Sequence, residues 1–109
     1  MFDLTGKILH SQNCGNRITN IFALVVAETE HFAHIKSLPQ IYTYEDKLRY
    51  RGTAVPDVSK LDEYKQLPKR ELFRAKKYLK EDGSLDYISS HDNAFTIWDG
   101  EPKGFDHLD

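Results

Sequence analysis

Hydrophobic and polar positions near the N-terminus follow the pattern of two strands joined by a turn. Residues 4–12 and 17–28 are rich in residues that suit strands, and residues 13–16 between them are typical turn formers. The second segment is β-branched and almost continuously apolar, which favours a strand covered on both faces, although a buried helix has the same periodicity. We predict an N-terminal β-hairpin.

Residues 68–82 have the periodicity of an amphipathic helix. Pro68 suits the first helical turn, where no backbone donor is needed, and Gly83 suits the left-handed residue just past the end. The apolar residues at spacings of three and four are Leu72, Ala75 and Leu79, with Phe73 beside them. Because most other positions here are charged, we predict a helix that buries Leu72, Phe73 and Leu79.

Two further hairpins are predicted from local composition. Residues 40–44 and 48–55 suit two strands around a polar turn, with tyrosines typical of a half-buried sheet. Residues 86–89 and 94–98 suit a second pair of strands around another polar turn. Residues 99–109, which contain two glycines and a proline, predict an irregular C-terminal tail.

Residues 29–38 fit two different elements. Thr29 can cap a short helix that carries Phe32 and Ile35 on one side, and Pro39 would end that helix. The same residues also fit a strand, since periodicity over so short a segment does not separate the two. Both alternatives stay open at this point.

These elements predict an α+β fold. We expect a mainly antiparallel sheet of four to six strands, with the amphipathic helix at residues 68–82 packed on one face, or a partly open barrel as a variant. A chain of 109 residues suits a single domain over residues 1–109, and 39% apolar residues can supply its core.

Charge is unevenly distributed along the chain. The net charge of −2 excludes a globally basic nucleic-acid binder but allows a local basic patch. Residues 60–80 contain eight basic and three acidic residues, whereas residues 81–109 contain eight acidic residues and one lysine. The two segments can neutralise each other in the fold, or they can present a basic helix and an acidic C-terminus to partners.

The candidates for partner binding are the basic stripe of the predicted helix and three tyrosines of the predicted sheet: Arg70, Arg74, Lys77, Tyr42, Tyr44 and Tyr50. The basic stripe can follow phosphates, and the tyrosine rings can stack on bases. The same charges can instead steer association with another protein.

One string of residues resembles a metal-ligand set. Glu28, His31 and His34 are spaced three apart, which on a helix places them in one broad sector, and imidazole with carboxylate suits zinc or iron. On a strand the same spacing alternates between faces. Cys14 is the single cysteine, so neither an internal disulfide nor a Cys-rich zinc site can form. We expect no metal and no cofactor.

Catalytic motifs are missing from the sequence. His91 and Asp92 are a pair of the kind found in acid–base sites, but turn formation explains them equally well. The chain has no Walker-type loop, no dinucleotide glycine fingerprint and no Gly-x-Ser-x-Gly. No apolar run approaches the length that spans a membrane, and the first residues do not resemble a signal peptide.

We therefore expect a small, non-enzymatic, cytoplasmic protein-binding module that acts by occupying a macromolecular protein partner. Inhibitors and accessory proteins of mobile genetic elements often have this size. The alternative is a single-stranded nucleic-acid-binding protein that uses the basic helix and the sheet tyrosines, and the third hypothesis is a small nuclease. We expect no membrane partner.

Overall fold

The computed structural model describes residues 2–14, 17–48 and 50–107, and strands dominate this part of the chain. The strands are β1 Ile8–Cys14, β2 Ile18–Glu28, β3 Phe32–Leu38, β4 Gln40–Asp46, β5 Arg51–Pro56, β6 Phe73–Leu79, β7 Leu85–Ser90, β8 Asn93–Ile97 and β9 Lys103–Asp106. One short helix, α1 Leu61–Tyr64, and a 3₁₀ turn, Lys69–Glu71, lie between β5 and β6.

Six antiparallel strands close into a barrel. Their order is β1-β8-β7-β6-β3-β2, and β2 pairs with β1 to complete the ring. Leu9 of β1 faces Ile97 of β8. This strand pair, the β1–β8 seam, therefore joins two segments that are far apart in the sequence. Alternate residues fill the interior: Leu4, Leu9, Ala23, Val25, Ala33, Ile35, Ala75, Ile88 and Phe95.

A second layer of three strands covers the outer surface of β2. Strands β9, β5 and β4 follow one another in the sheet, and Ile18 at the start of β2 faces Asp106 of β9. Phe22 and Leu24 pack outward against Phe105 in a second hydrophobic cluster. Strand β2 is therefore buried on both faces, which confirms the prediction made from its continuous apolar sequence.

The helix predicted at residues 68–82 is wrong. This stretch contains the 3₁₀ turn, strand β6 and the start of the β6–β7 turn, where Gly83 has a φ of 86°. In this strand Ala75 lies near the middle, whereas Phe73 and Leu79 are the first and last residues, so the predicted helical stripe does not form. Ala75 points into the core, while Phe73 and Leu79 are 48% and 54% exposed. Pairing with β3 and β7 has overridden the local helical pattern.

The predicted α+β fold class is also wrong, because 58% of the described residues are strand and 7% are helical. The barrel is closed rather than partly open. The hairpins β1–β2, β4–β5 and β7–β8 form where the sequence predicted strand pairs, although residues 15 and 16 of the first turn lie outside the described residues. Residues 29–38 contain strand β3, and the C-terminal stretch expected to be coil contains β9.

No helix among the described residues has the length and apolar character that crossing a membrane would require.

Candidate functional site

The outer surface of the barrel at β3 and β6 concentrates cationic side chains. His34 lies directly opposite Arg74, and Phe32 lies directly opposite Lys76. Opposite residues of an antiparallel pair project from the same face, and Lys36 lies two residues beyond His34 on that face. We define the basic face as His34 together with four cations: Lys36, Lys69, Arg74 and Lys76.

Three of these cations rest on aromatic rings. The Arg74 guanidinium lies 4.5 Å from the ring centre of Phe32, Lys76 Nζ lies 5.3 Å from that of Tyr78, and Lys36 Nζ lies 5.7 Å from that of Tyr64. Such contacts are attractive, and they hold long side chains in one orientation. The basic face consequently presents positioned charges, and the faces of the supporting rings are partly covered.

The four cations have no carboxylate partner within ion-pair distance anywhere in residues 2–14, 17–48 and 50–107. Acidic residues of the C-terminal part interact elsewhere. Asp99 pairs with Lys103 at 2.7 Å, and Asp82 accepts the backbone N–H of Ser84 at 2.9 Å within its own turn. The basic segment is therefore not neutralised by the described part of the acidic segment.

His34 occupies the middle of the basic face. Burial lowers the pKa of its imidazole below the ordinary value, and the positive charges of Lys69 and Arg74 lower it further. Lys69 lies on the 3₁₀ turn that precedes β6, and its charge is one of the two that lower this pKa. An anion bound at this face would offset that repulsion and favour the protonated imidazole.

Lys77, which the sequence placed in the basic stripe, points into the barrel. Its side chain is 2% exposed, and the side chain of Glu28 beside it is 4% exposed. Lys77 Nζ donates to Glu28 Oε2 and, at 2.6 Å, to the backbone carbonyl of Thr29. A partner cannot reach this lysine, so its role is structural and Arg70, Arg74 and Lys77 do not form one surface.

Glu28 also binds the N-terminal segment, residues 2–4, at this end of the barrel. The backbone amides of Phe2 and Leu4 each donate to its carboxylate at 3.0 Å. Burial by itself would raise the pKa of Glu28, but the hydrogen bonds from Lys77 and the two amides outweigh it and the pKa is lowered. The Phe2 ring lies 5.4 Å from Lys77 Nζ and covers the ion pair.

The three residues considered as metal ligands are separated by the fold. Glu28 lies at the closed end of the barrel, His34 lies on the basic face, and the side chain of His31 is 75% exposed in the turn between β2 and β3. Within the described ranges, no group of three or more His, Cys, Asp or Glu side chains can hold a metal ion.

The predicted partner-binding tyrosines lie on a different part of the molecule. Tyr42 and Tyr44 belong to β4 and contact Phe105 edge-on, with ring centres 5.0 and 5.4 Å away. Tyr50 is 55% exposed in the β4–β5 turn, and its carbonyl accepts the His107 amide at 3.1 Å. In the sheet, β3, β2, β9 and β5 separate β4 from β6, so these tyrosines do not join the basic residues.

Two other residues with reactive side chains are also placed apart. His91 sits in the β7–β8 turn with its ring 5.1 Å from that of Phe73. Cys14 is exposed at the end of β1, where its thiol faces Gln12 Oε1 at 3.4 Å. Arg70 is exposed on the 3₁₀ turn.

Most of the basic face was not predicted from the sequence. The signal was present in β3, where Phe32, His34 and Lys36 alternate with the apolar residues Ala33 and Ile35. Assigning this period of two would have placed an imidazole and a lysine on one outer face. Because residues 68–82 were predicted as a helix, their Arg74 and Lys76 were not predicted as cross-strand neighbours of β3.

Comparison with known proteins adds no constraint, because the chain matches no protein-family model, no curated protein and no solved structure. A functional assignment must accordingly rest on the chain's own geometry. The basic face is the strongest candidate, since Lys69, Arg74 and Lys76 are exposed, Lys36 is half-buried, and none of the four has a carboxylate partner within the described residues.

Proposed function

We propose that this protein is a non-enzymatic binding module that occupies an acidic surface of a protein partner through its basic face. The observation that carries the proposal is the set of outward cations that rest on aromatic rings and lack carboxylate partners in the described chain. Charges in this arrangement attract an oppositely charged surface and fix the register of docking.

Preorganisation supports the use of these side chains in binding. A free lysine or arginine loses considerable rotamer entropy when a partner immobilises it. Arg74, Lys76 and Lys36 already rest against rings of the same molecule, so less freedom remains to be lost on association. Arg74 also retains guanidinium N–H groups for a bidentate contact with a carboxylate.

Two observations favour a protein over a nucleic acid as the partner. Bases bind single-strand modules by stacking on open aromatic faces, but here cations cover faces of Phe32, Tyr64 and Tyr78. The chain also carries a net charge of −2, which opposes a nucleic acid charged along its whole length more than a protein whose acidic residues are confined to one patch.

A single-stranded nucleic acid is the second candidate, on the strength of one observation. Tyr78 and Tyr87 stack at 4.7 Å with an angle of 11° between their planes, next to Lys76. Tyr78 is 38% exposed, so this pair offers an aromatic surface at the border of the basic face. Phosphates would then contact the cations while a base extends the stack.

Fluorescence anisotropy tests both candidates. The probes are a labelled glutamate-rich peptide and a labelled oligothymidine, each titrated at low and physiological salt. We expect saturable binding of the peptide that weakens with salt, and no retention of the oligothymidine at physiological salt. The variant Arg74→Glu, Lys76→Glu should abolish peptide binding.

The matched control is Lys7→Glu, Lys47→Glu, which changes the net charge equally at exposed lysines outside the basic face. Equal losses in both double variants would mean that net charge alone drives binding and would refute the assignment to the basic face. Retention of the oligothymidine at physiological salt, lost in Arg74→Glu, Lys76→Glu alone, would establish the nucleic-acid alternative instead.

A further inference from the structure

The end of the barrel opposite the Glu28–Lys77 pair contains a cavity of about 160 Å³. Its walls include Ile21, Ile35 and Phe95, which point into the barrel interior. Phe73, at the start of β6, stands at the mouth with its ring edge-on to that of His91. One end of the barrel is thus closed by Phe2 and its neighbours, whereas this end holds an apolar space that opens outward.

The wall of this space includes a hydroxyl group that has no hydrogen-bond partner among the described residues. Ser90 lines the cavity and is 9% exposed, yet within the described ranges its side chain makes no hydrogen bond to another residue. At the rim, the Asn93 side chain is held by the carbonyl of His91 at 3.3 Å. Every fully buried side-chain N or O atom of the described residues has a hydrogen-bond partner, so the Ser90 hydroxyl is reached by solvent through the mouth of the cavity. A ligand in the cavity can replace that water with one directional bond to Ser90.

The size and lining of the cavity indicate the class of ligand. An apolar protein cavity of about 150 Å³ accommodates one benzene molecule. Phe73 and Phe95 offer ring contacts, and Ile21 and Ile35 offer aliphatic surface. Two serines line the cavity, and Ser90 is the more buried of them, whereas Ser37 is exposed. Apolar walls with one hydroxyl at depth fit a flat ring bearing one polar substituent, and the mouth of a barrel is a common position for such a site.

We propose that the open end of the barrel binds a monocyclic phenol, with the ring between Phe73 and Phe95 and the phenolic hydroxyl bonded to Ser90. This site is separate from the basic face, because Ile21, Ile35 and Phe95 point into the barrel and Phe73 of β6 stands at its mouth. The phenol proposal therefore does not depend on the proposed protein partner.

Nuclear magnetic resonance titration of the full chain with phenol tests the site. We expect saturable shifts confined to the methyl resonances of Ile21 and Ile35 and to the amides around Ser90. Benzene should bind more weakly at the same place, and cyclohexanol more weakly still. The variant Ser90→Ala should lower phenol affinity about threefold to tenfold, the range expected for one hydrogen bond, and should leave benzene unaffected.

The control is Ser89→Ala, which removes a neighbouring hydroxyl that does not line the cavity and should change nothing. Ser90→Leu should fill the space and eliminate binding of both ligands. Shifts that stay linear with concentration, or that map to β4 and β5, would overturn the proposal. Equal phenol affinity in the native protein and Ser90→Ala would refute the hydrogen bond that defines the ligand class.

Discussion

Lys76 and Lys77 are consecutive residues of β6 that occupy opposite environments. Lys76 lies outside the barrel above Tyr78 without a carboxylate partner in the described chain, whereas Lys77 lies inside and is bound by Glu28 and Thr29. The difference arises from the two-residue period of a strand, which turns neighbouring side chains to opposite faces. Charge in the interior is satisfied by the fold itself, and charge outside remains available to a partner.

The largest effect should come from removing one member of the buried pair. Lys77→Met leaves Glu28 buried without its cation and should destabilise the protein by about 3–5 kcal/mol. Lys76→Met should stay within about 0.5 kcal/mol of the native protein, as expected for a surface position. Urea unfolding of the two variants measures both values.

A second variant sharpens this comparison. In Lys77→Met, Glu28→Gln the charge is removed, while the Gln oxygen can still accept one of the backbone amides of Phe2 and Leu4, which donate to different oxygens of Glu28. We expect the double variant to be more stable than Lys77→Met alone. If the two lysine variants lose equal stability, the inward placement of Lys77 is wrong.

An intermediate effect should separate the inner and outer apolar residues of the β6–β7 hairpin. Ile88 is fully buried in the barrel, so Ile88→Ala should destabilise by about 2–5 kcal/mol. Leu79 is 54% exposed, and Leu79→Ala should change stability by only about 0.5 kcal/mol. Thermal unfolding provides the comparison, and the amphipathic helix would require a large loss for Leu79→Ala.

The smallest effect concerns the pH dependence of the basic face. The pKa of His34 is lowered in the fold by burial and by Lys69 and Arg74, so the unfolded chain takes up this proton at the higher pH. Stability should therefore fall as pH drops through the ordinary histidine value of 6.5. The lowered pKa of Glu28 adds a separate loss only below its ordinary value of 4.5.

His34→Asn should reduce the loss of stability between pH 8 and about pH 5, because the repelled proton is no longer taken up. His31→Asn is the matched control, since the His31 side chain is 75% exposed. Urea midpoints across this range measure the effect. A slope that is unchanged in His34→Asn, or reduced equally in His31→Asn, would contradict the electrostatic environment described for the basic face.

The parts of the fold that could be predicted are those with local causes. Turn-forming residues and β-branched runs indicated three hairpins, and the continuous apolar sequence of β2 indicated a strand covered on both sides. The helix failed because Leu72, Ala75 and Leu79 have helical spacing by coincidence. A lysine at an inward strand position is intelligible only once its carboxylate, 49 residues away, is known.

The candidate site could be predicted from the sequence only in part, for the same reason. Arg74 was identified, but Lys77 was assigned to the wrong surface, and His34 was considered only as a metal ligand. Cross-strand neighbours create the basic face, and they come from segments that are far apart in the chain. Sequence periodicity reports which residues share a face of one element, but not which elements become neighbours.

The pairing of Leu9 with Ile97 affects how the chain folds during synthesis. During synthesis, β1 leaves the ribosome long before β8, so it can pair with β2 at once but must wait for its second neighbour. Contacts between such distant segments slow folding, because the intervening chain has to be ordered first. Until then β1 exposes an unpaired edge, and the newborn protein is most vulnerable to association with other chains during this interval.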